Sequence, residues 1–238
     1  MNYEIDQLKL SEQIITIAKK ASFVTGLYIL LTFIILFVLY FFGMLFLFDF
    51  PKDLTKFTNP TFVEELLAAN PIQLIILNGC ISIMGHFLLS GIYGMLHNNT
   101  NVPYISLGSA YKAIFSIKGL KVLNIIIVVQ AITTTVSYFL DTLGFGLVGL
   151  GISILIQFLT YFTYAAIYVH NLSLGKSVSL SIALINYKPG FLFLFIAIAY
   201  FLSLSGIIFF GIGIILTLPL NYIVAYCLYQ HITEQLTD

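Results

Sequence analysis

The 238-residue sequence has no arginine, no tryptophan and only two cysteines, and its ten lysines and ten acidic residues together make up 8% of the chain. Soluble domains carry roughly 25% charged residues. So few charges cannot cover the outside of a water-soluble protein, which excludes the ordinary globular class. With no arginine and no cluster of lysines there is no positive face for phosphates, so nucleic acid is excluded as a partner. Cys80 and Cys227 lie in separate apolar runs expected near opposite membrane faces, and no disulfide or metal framework follows. Walker A, His-Glu-x-x-His and Gly-x-Ser-x-Gly patterns are absent, as is any group of intramembrane carboxylates. The reading is therefore not an enzyme, with no catalytic residue, no metal and no cofactor. Lack of Arg and Trp beside abundant Ile, Phe, Asn and Lys is the codon bias of an AT-rich bacterial genome, so a bacterial cytoplasmic (inner) membrane is expected.

What is present is apolar: 60% of the residues. Ser22 to Phe48 is 27 residues without a charge, too long for a secretory signal core and long enough for a retained crossing. Further runs cover Pro71 to Leu96 and Val122 to Leu140. A Gly-rich turn then leads into a fourth, about 148–169. Pro189 to Thr233 is 45 uncharged residues, enough for two crossings with a turn near Ser203 to Gly206. Six crossings in one integral membrane domain, 1–238, place eight lysines on the side of both termini. Only Lys52 and Lys56 fall on the other side, so the lysine bias puts both termini in the cytoplasm.

The connectors on that side read as interfacial amphipathic helices. Leu107, Ala110, Tyr111, Ile114 and Ile117 form one face of a helix over 104–118, opposite Ser106, Ser109, Lys112 and Ser116. Ile14, Ile17, Ala18 and Ala21 predict another before the first crossing. Leu174, Val178, Ile182 and Ile185 predict a third before the fifth. In the loop 51–70, Thr61 and Glu64 form a capping box for a short helix through Ala69.

An internal repeat is visible. Gly149-Leu-Gly-Ile-Ser with Tyr161, Tyr168 and His170 aligns, with one gap, to Gly211-Ile-Gly-Ile-Ile with Tyr222, Tyr229 and His231, and the second crossing ends more loosely in Tyr93 and His97. The units are about 3–98, 101–171 and 172–232. The fold expected is thus all-α and polytopic: six transmembrane helices in three repeated hairpins, each preceded by an interfacial amphipathic helix.

In the last copy, Leu174-Gly-Lys-Ser-Val-Ser-Leu-Ser-Ile-Ala, Lys188-Pro-Gly and the run from Phe210-Gly-Ile-Gly through Pro219 to Tyr229 carry a family resemblance. The segment is similar to the C-terminal part of uncharacterised six-helix bacterial integral membrane proteins, a group related to the membrane domain fused to some glycerophosphodiester phosphodiesterases. The resemblance weakens over 101–171 and is faint before that. It implies six helices in three hairpins and brings no activity with it.

Five residues are candidates for a transport or polar site. Asp141 is the only acidic residue inside or bordering a crossing after the first. A carboxylate in mid-membrane costs about 2.5 to 3.5 kcal/mol, but at a helix end it also serves as a terminator. His86, after Gly85 in the second crossing, is either a proton relay or an interhelical hydrogen bonder. Pro219 frees the carbonyl of Ile215 and kinks the sixth crossing. Gln130 and Gln157, with neighbouring threonines and Ser137, line a polar path or glue helices together, while Ser90 with Gly94 and Gly149 with Ser153 are close-packing pairs. His97, His170 and His231 suit the interface, since they lack both ligand spacing and an accompanying carboxylate.

Two functions fit. The first is a non-enzymatic accessory, scaffold or assembly subunit, whose partners would be membrane lipids and another membrane-protein subunit. The second is a small permease or lipid-handling transporter using the crevice between hairpins. No oligomeric state follows from the sequence.

Overall fold

The computed structural model describes residues 3–47, 69–99, 105–208 and 212–237, and every regular element among them is helical. The first, α1 (Gln7–Leu47), is one helix of 41 residues. Asp6 starts it, accepting the amides of Leu8 and Lys9 at 3.0 and 3.1 Å. The separate amphipathic helix expected before the first crossing is not there. No glycine or proline stands between Asp6 and Gly26 to stop the helix, so both segments form one rod roughly 60 Å long. The short helix expected from Thr61 lies outside the described residues.

Next come α2 (Pro71–Asn98), α3 (Leu107–Ile114) and α4 (Ile117–Thr142). The helix expected over 104–118 thus ends at Ile114. Ser116 Oγ accepts the Gly119 amide at 3.2 Å and begins α4, which takes the exposed Ile117 with it. Gly144 turns the chain back at φ +81°, a value open to glycine at little cost. It leads to α5 (Gly146–Leu159) and α6 (Thr163–His170). The remaining helices are α7 (Leu174–Tyr187), α8 (Pro189–Leu204), α9 (Ile212–Thr217) and α10 (Pro219–Thr237). A bend of 103° at Lys188 separates α7 from α8.

Among the described residues four stretches are long and apolar enough to cross a membrane, α1, α2, α4, and α5 with α6, and the bent pair α7 with α8 makes a fifth if it is counted as one span. Six were expected, and neither of the other two stretches is a single helix of sufficient length. The 16 residues of α8 reach about 24 Å, short of the roughly 30 Å hydrocarbon thickness. The last stretch is cut at Leu218, because Pro219 has no amide hydrogen to carry the helix through.

Packing is uneven along the bundle. The central helix, α2, touches α1, α3, α4, α6 and α10, and the buried core of Tyr28, Ile92, Ile114, Tyr168 and Tyr229 lies toward the end that carries both chain ends. Gly94 lets α3 lie against α2, since a Cβ there would overlap that of Ala113. Toward the other end, large apolar side chains such as Phe46, Leu147 and Phe201 stand exposed, as suits a hydrocarbon surrounding.

The N-terminal segment is tied to the last helices. Tyr3 Oη donates to the Leu184 carbonyl at 2.8 Å, and the Glu4 amide donates to Gln235 Oε1 at 2.8 Å. At the same end Lys20 Nζ donates to the Asn99 carbonyl at 2.8 Å and Lys118 Nζ to the Tyr168 carbonyl at 2.7 Å. Each lysine thus meets the negative C-terminal end of the helix that returns beside it.

Burial first, and then the neighbouring Tyr187, push the Tyr3 phenol up to about 12; the Lys188 ammonium lies 5.5 Å from the Tyr3 ring centroid. A raised phenol favours the neutral folded form, so its contribution is complete below about pH 10 and disappears as pH rises through 12. Tyr3→Phe is expected to loosen this latch by about 1 kcal/mol at neutral pH. Faster hydrogen exchange confined to the two chain ends is the expected signature, and unchanged exchange there would refute the latch.

Candidate functional site

Three of the five sequence-selected residues, His86, Gln130 and Gln157, converge on one cavity of about 120 Å³ near the middle of the bundle. Each wall follows helical spacing. His86, Ser90 and Tyr93 come from α2, Ile126, Gln130 and Thr133 from α4, and Gln157, Tyr161 and Tyr164 from the α5–α6 stretch, all at i, i+4 and i+7. Tyr200 of α8 and Asn221 and Tyr222 of α10 close the remaining side. The lining has many hydrogen-bonding groups and no Lys, Asp or Glu.

Two helix breaks meet at this level, and a serine from a neighbouring helix completes each. Ser181 of α7 donates to the Leu159 carbonyl at 2.8 Å and accepts the Phe162 amide at 3.1 Å, filling the gap between α5 and α6. Ser203 of α8 accepts the Asn221 amide at 2.9 Å, and Thr217 Oγ1 donates to the Ser203 carbonyl at 2.8 Å, bridging the gap between α9 and α10. Backbone groups left open by a break must find such partners where water is scarce. The breaks also place Tyr161 beside Asn221, with the phenol donating to Oδ1 at 3.0 Å.

The other two candidates stand differently. Asp141 is exposed near the end of α4, beside a separate cleft bordered by Ser137, Gly146 and Ser153, and the structure does not bring it to the cavity. Pro219 lies outside the lining, but it opens α10, whose third and fourth residues, Asn221 and Tyr222, do line it. Gln130 also acts as glue, since Ser82 Oγ donates to its Oε1 at 3.2 Å across to α2. The close-packing reading of Gly149 and Ser153 holds: Ser137 and Ser153 hydroxyls meet at 2.8 Å over a buried Gly149.

Set against known proteins, the chain matches no family model, no curated protein and no solved structure. Function must therefore be argued from the cavity itself.

Among the histidines at the end bearing the termini, His170 Nδ1 shares a 2.7 Å hydrogen bond with Tyr229 Oη, and His231 Nε2 is 3.3 Å from the Asp6 amide. Among the described residues no three His, Cys, Asp or Glu side chains are grouped to hold a metal ion. Sequence reasoning noted Tyr161 and Tyr222 only as matched positions of the repeat and did not single out Asn221 or Tyr200. All four line the cavity. The repeat register, which equates Tyr161 with Tyr222, is the signal that could have found two of them.

Proposed function

We propose that the chain is a small permease or lipid-handling membrane protein whose crevice binds an uncharged polar molecule. The observation that carries this reading is the concentration of His86, Gln130, Gln157, Asn221 and five tyrosines around one cavity in an otherwise apolar helical protein. Polar groups inside a membrane bundle are costly, and broken helices beside them recur at the binding sites of transporters. The accessory-subunit reading would leave this cavity without a use. The absence of charge from the lining favours a neutral ligand, because an ion there would be desolvated without a counter-charge.

In this reading the chain makes six crossings. The turn Ser205–Ile208 extends α8 to 20 residues for the fifth, and α9 with α10 forms the sixth as two halves. The lysine bias then places both termini in the cytoplasm of a bacterial cell, and the three hairpins are the repeat units. Lys112→Cys should react with an impermeant maleimide only when the cytoplasmic face is open, and Lys56→Cys only from outside. The reverse pattern would refute the orientation.

The function is tested by mild extraction of the tagged full chain, with mass spectrometry of what co-purifies. A small molecule or lipid at fixed ratio is expected, falling at least about tenfold in Gln157→Leu, equivalent to roughly 1.4 kcal/mol. With the ligand removed from both proteins, the thermal midpoint of that variant should not fall below that of the wild type, because Gln157 faces the cavity and a ligand-binding residue is dispensable for folding. A lowered midpoint with no change in bound material would make Gln157 interhelical glue. A protein partner at fixed ratio with no bound small molecule would return the weight to the accessory reading.

A further inference from the structure

We infer that the ligand is an amphiphile: an uncharged, hydroxyl-bearing head occupies the polar cavity while its chain lies in a groove between α5 and α8. The inference rests on the binding reading above and names its ligand class. A second cavity, of about 290 Å³, is bordered by Ile154, Phe158, Phe193, Ile196 and Ala197. Gln157, Tyr161 and Tyr200 border both cavities, so the polar chamber and the apolar groove adjoin across these three side chains. The two helices meet through the edge-to-face pair Phe158 and Phe193, with ring centroids 5.6 Å apart, instead of packing along their lengths. Ile154 and Phe193 stay more than half exposed, so the groove opens sideways to where lipid would lie.

The chemistry of the two compartments differs as the two ends of a lipid do. Tyrosine hydroxyls, side-chain amides and His86 offer both donors and acceptors, which match hydroxyl groups. Neither compartment has a lysine to neutralise a phosphate or a carboxylate to neutralise an ammonium, so charged headgroups are disfavoured. A chamber of about 120 Å³ holds several waters or a head of a few heavy atoms, and a single chain suits a single groove.

The test uses the full chain in phosphatidylethanolamine and phosphatidylglycerol liposomes, with a monoacylglycerol carrying a mid-chain diazirine. Saturable photolabelling is expected in the peptides containing Phe158 and Phe193. Unlabelled monoacylglycerol should suppress it at least about tenfold, and neither glycerol nor added phosphatidylglycerol should do so. Ala197→Phe, which fills the groove, should lower labelling by a similar factor. Ile154→Trp, at an exposed position, gives the same readout should Ala197→Phe fail to fold. Labelling that does not saturate and spreads over the exposed face of α1 would reduce the contact to surrounding lipid and overturn the inference. Co-purified ligand that is lost in Gln157→Leu but kept in both groove-filling variants would also overturn it, while leaving the polar-site reading intact. Loss in neither class would defeat both.

Discussion

Gly26→Leu is expected to abolish recovery of folded protein. Gly26 lies on α1 where it meets α9, and a Cβ added there would overlap the carbonyl oxygen of Ile215. That carbonyl is the one whose usual partner is missing, because Pro219, four residues on, has no amide hydrogen. The helix break and the close approach of α1 are thus one feature: the freed oxygen faces a backbone that only glycine allows so near. Relief would require moving backbone against backbone, so the cost exceeds ordinary overpacking of about 1 to 3 kcal/mol. The measurement is monodisperse yield in mild detergent, with the thermal midpoint of whatever is recovered. Gly79→Ala on α2 is the control, since nothing lies within 4 Å of its added Cβ. It should be neutral or gain up to about 1 kcal/mol from helix propensity. Wild-type yield and midpoint for Gly26→Leu would mean that α1 and α9 do not meet as described.

The second large effect is expected at the serines that complete the two helix breaks. Ser181→Ala strands the Leu159 carbonyl and the Phe162 amide together, and Ser203→Ala strands the Asn221 amide. A buried group left without a partner costs about 1 to 3 kcal/mol, so Ser181→Ala should be the costlier of the two. Ser181→Thr keeps a hydroxyl and should recover part of the loss, whereas a merely volumetric effect would make threonine the worse variant. The local readout is hydrogen exchange of the Phe162 amide. It should accelerate about fivefold or more for each kcal/mol lost. Equal exchange in wild type and Ser181→Ala would show that water, not Ser181, serves this break. Both serines come from a helix that is not part of the break they fill, and neither lines the cavity, so the polar chamber is held open by parts outside its lining.

Much of this was legible in the sequence, and the limits have identifiable causes. Uncharged runs and scarce charge determined a helical chain with several stretches able to cross a membrane, because in hydrocarbon each backbone must satisfy itself. Rare polar residues in those runs marked His86, Gln130 and Gln157, because apolar runs make such residues conspicuous. Pro219 announced its break for the simple reason that proline cannot donate. The same reasoning misplaced the helix boundaries at Lys20 and Ile117, where continuity depended on the absence of a breaker in one case and on a serine cap in the other.

What only the tertiary structure decided is which faces meet. Periodicity assigns residues to a face of each helix, but in an apolar surrounding the inward face is no more apolar than the outward one, so burial leaves little trace in composition. Asp141 therefore looked as promising as His86 until the fold set it beside a different cleft. Tyr161 and Tyr222 stood out only as matched positions of the repeat, and Tyr200 not at all, until two helix breaks and the placement of α8 brought all three to a shared chamber. Ser181 looked like an ordinary helix residue and Ser203 like part of a turn, because the backbone gaps they fill belong to other segments of the chain and exist only once the helices have packed.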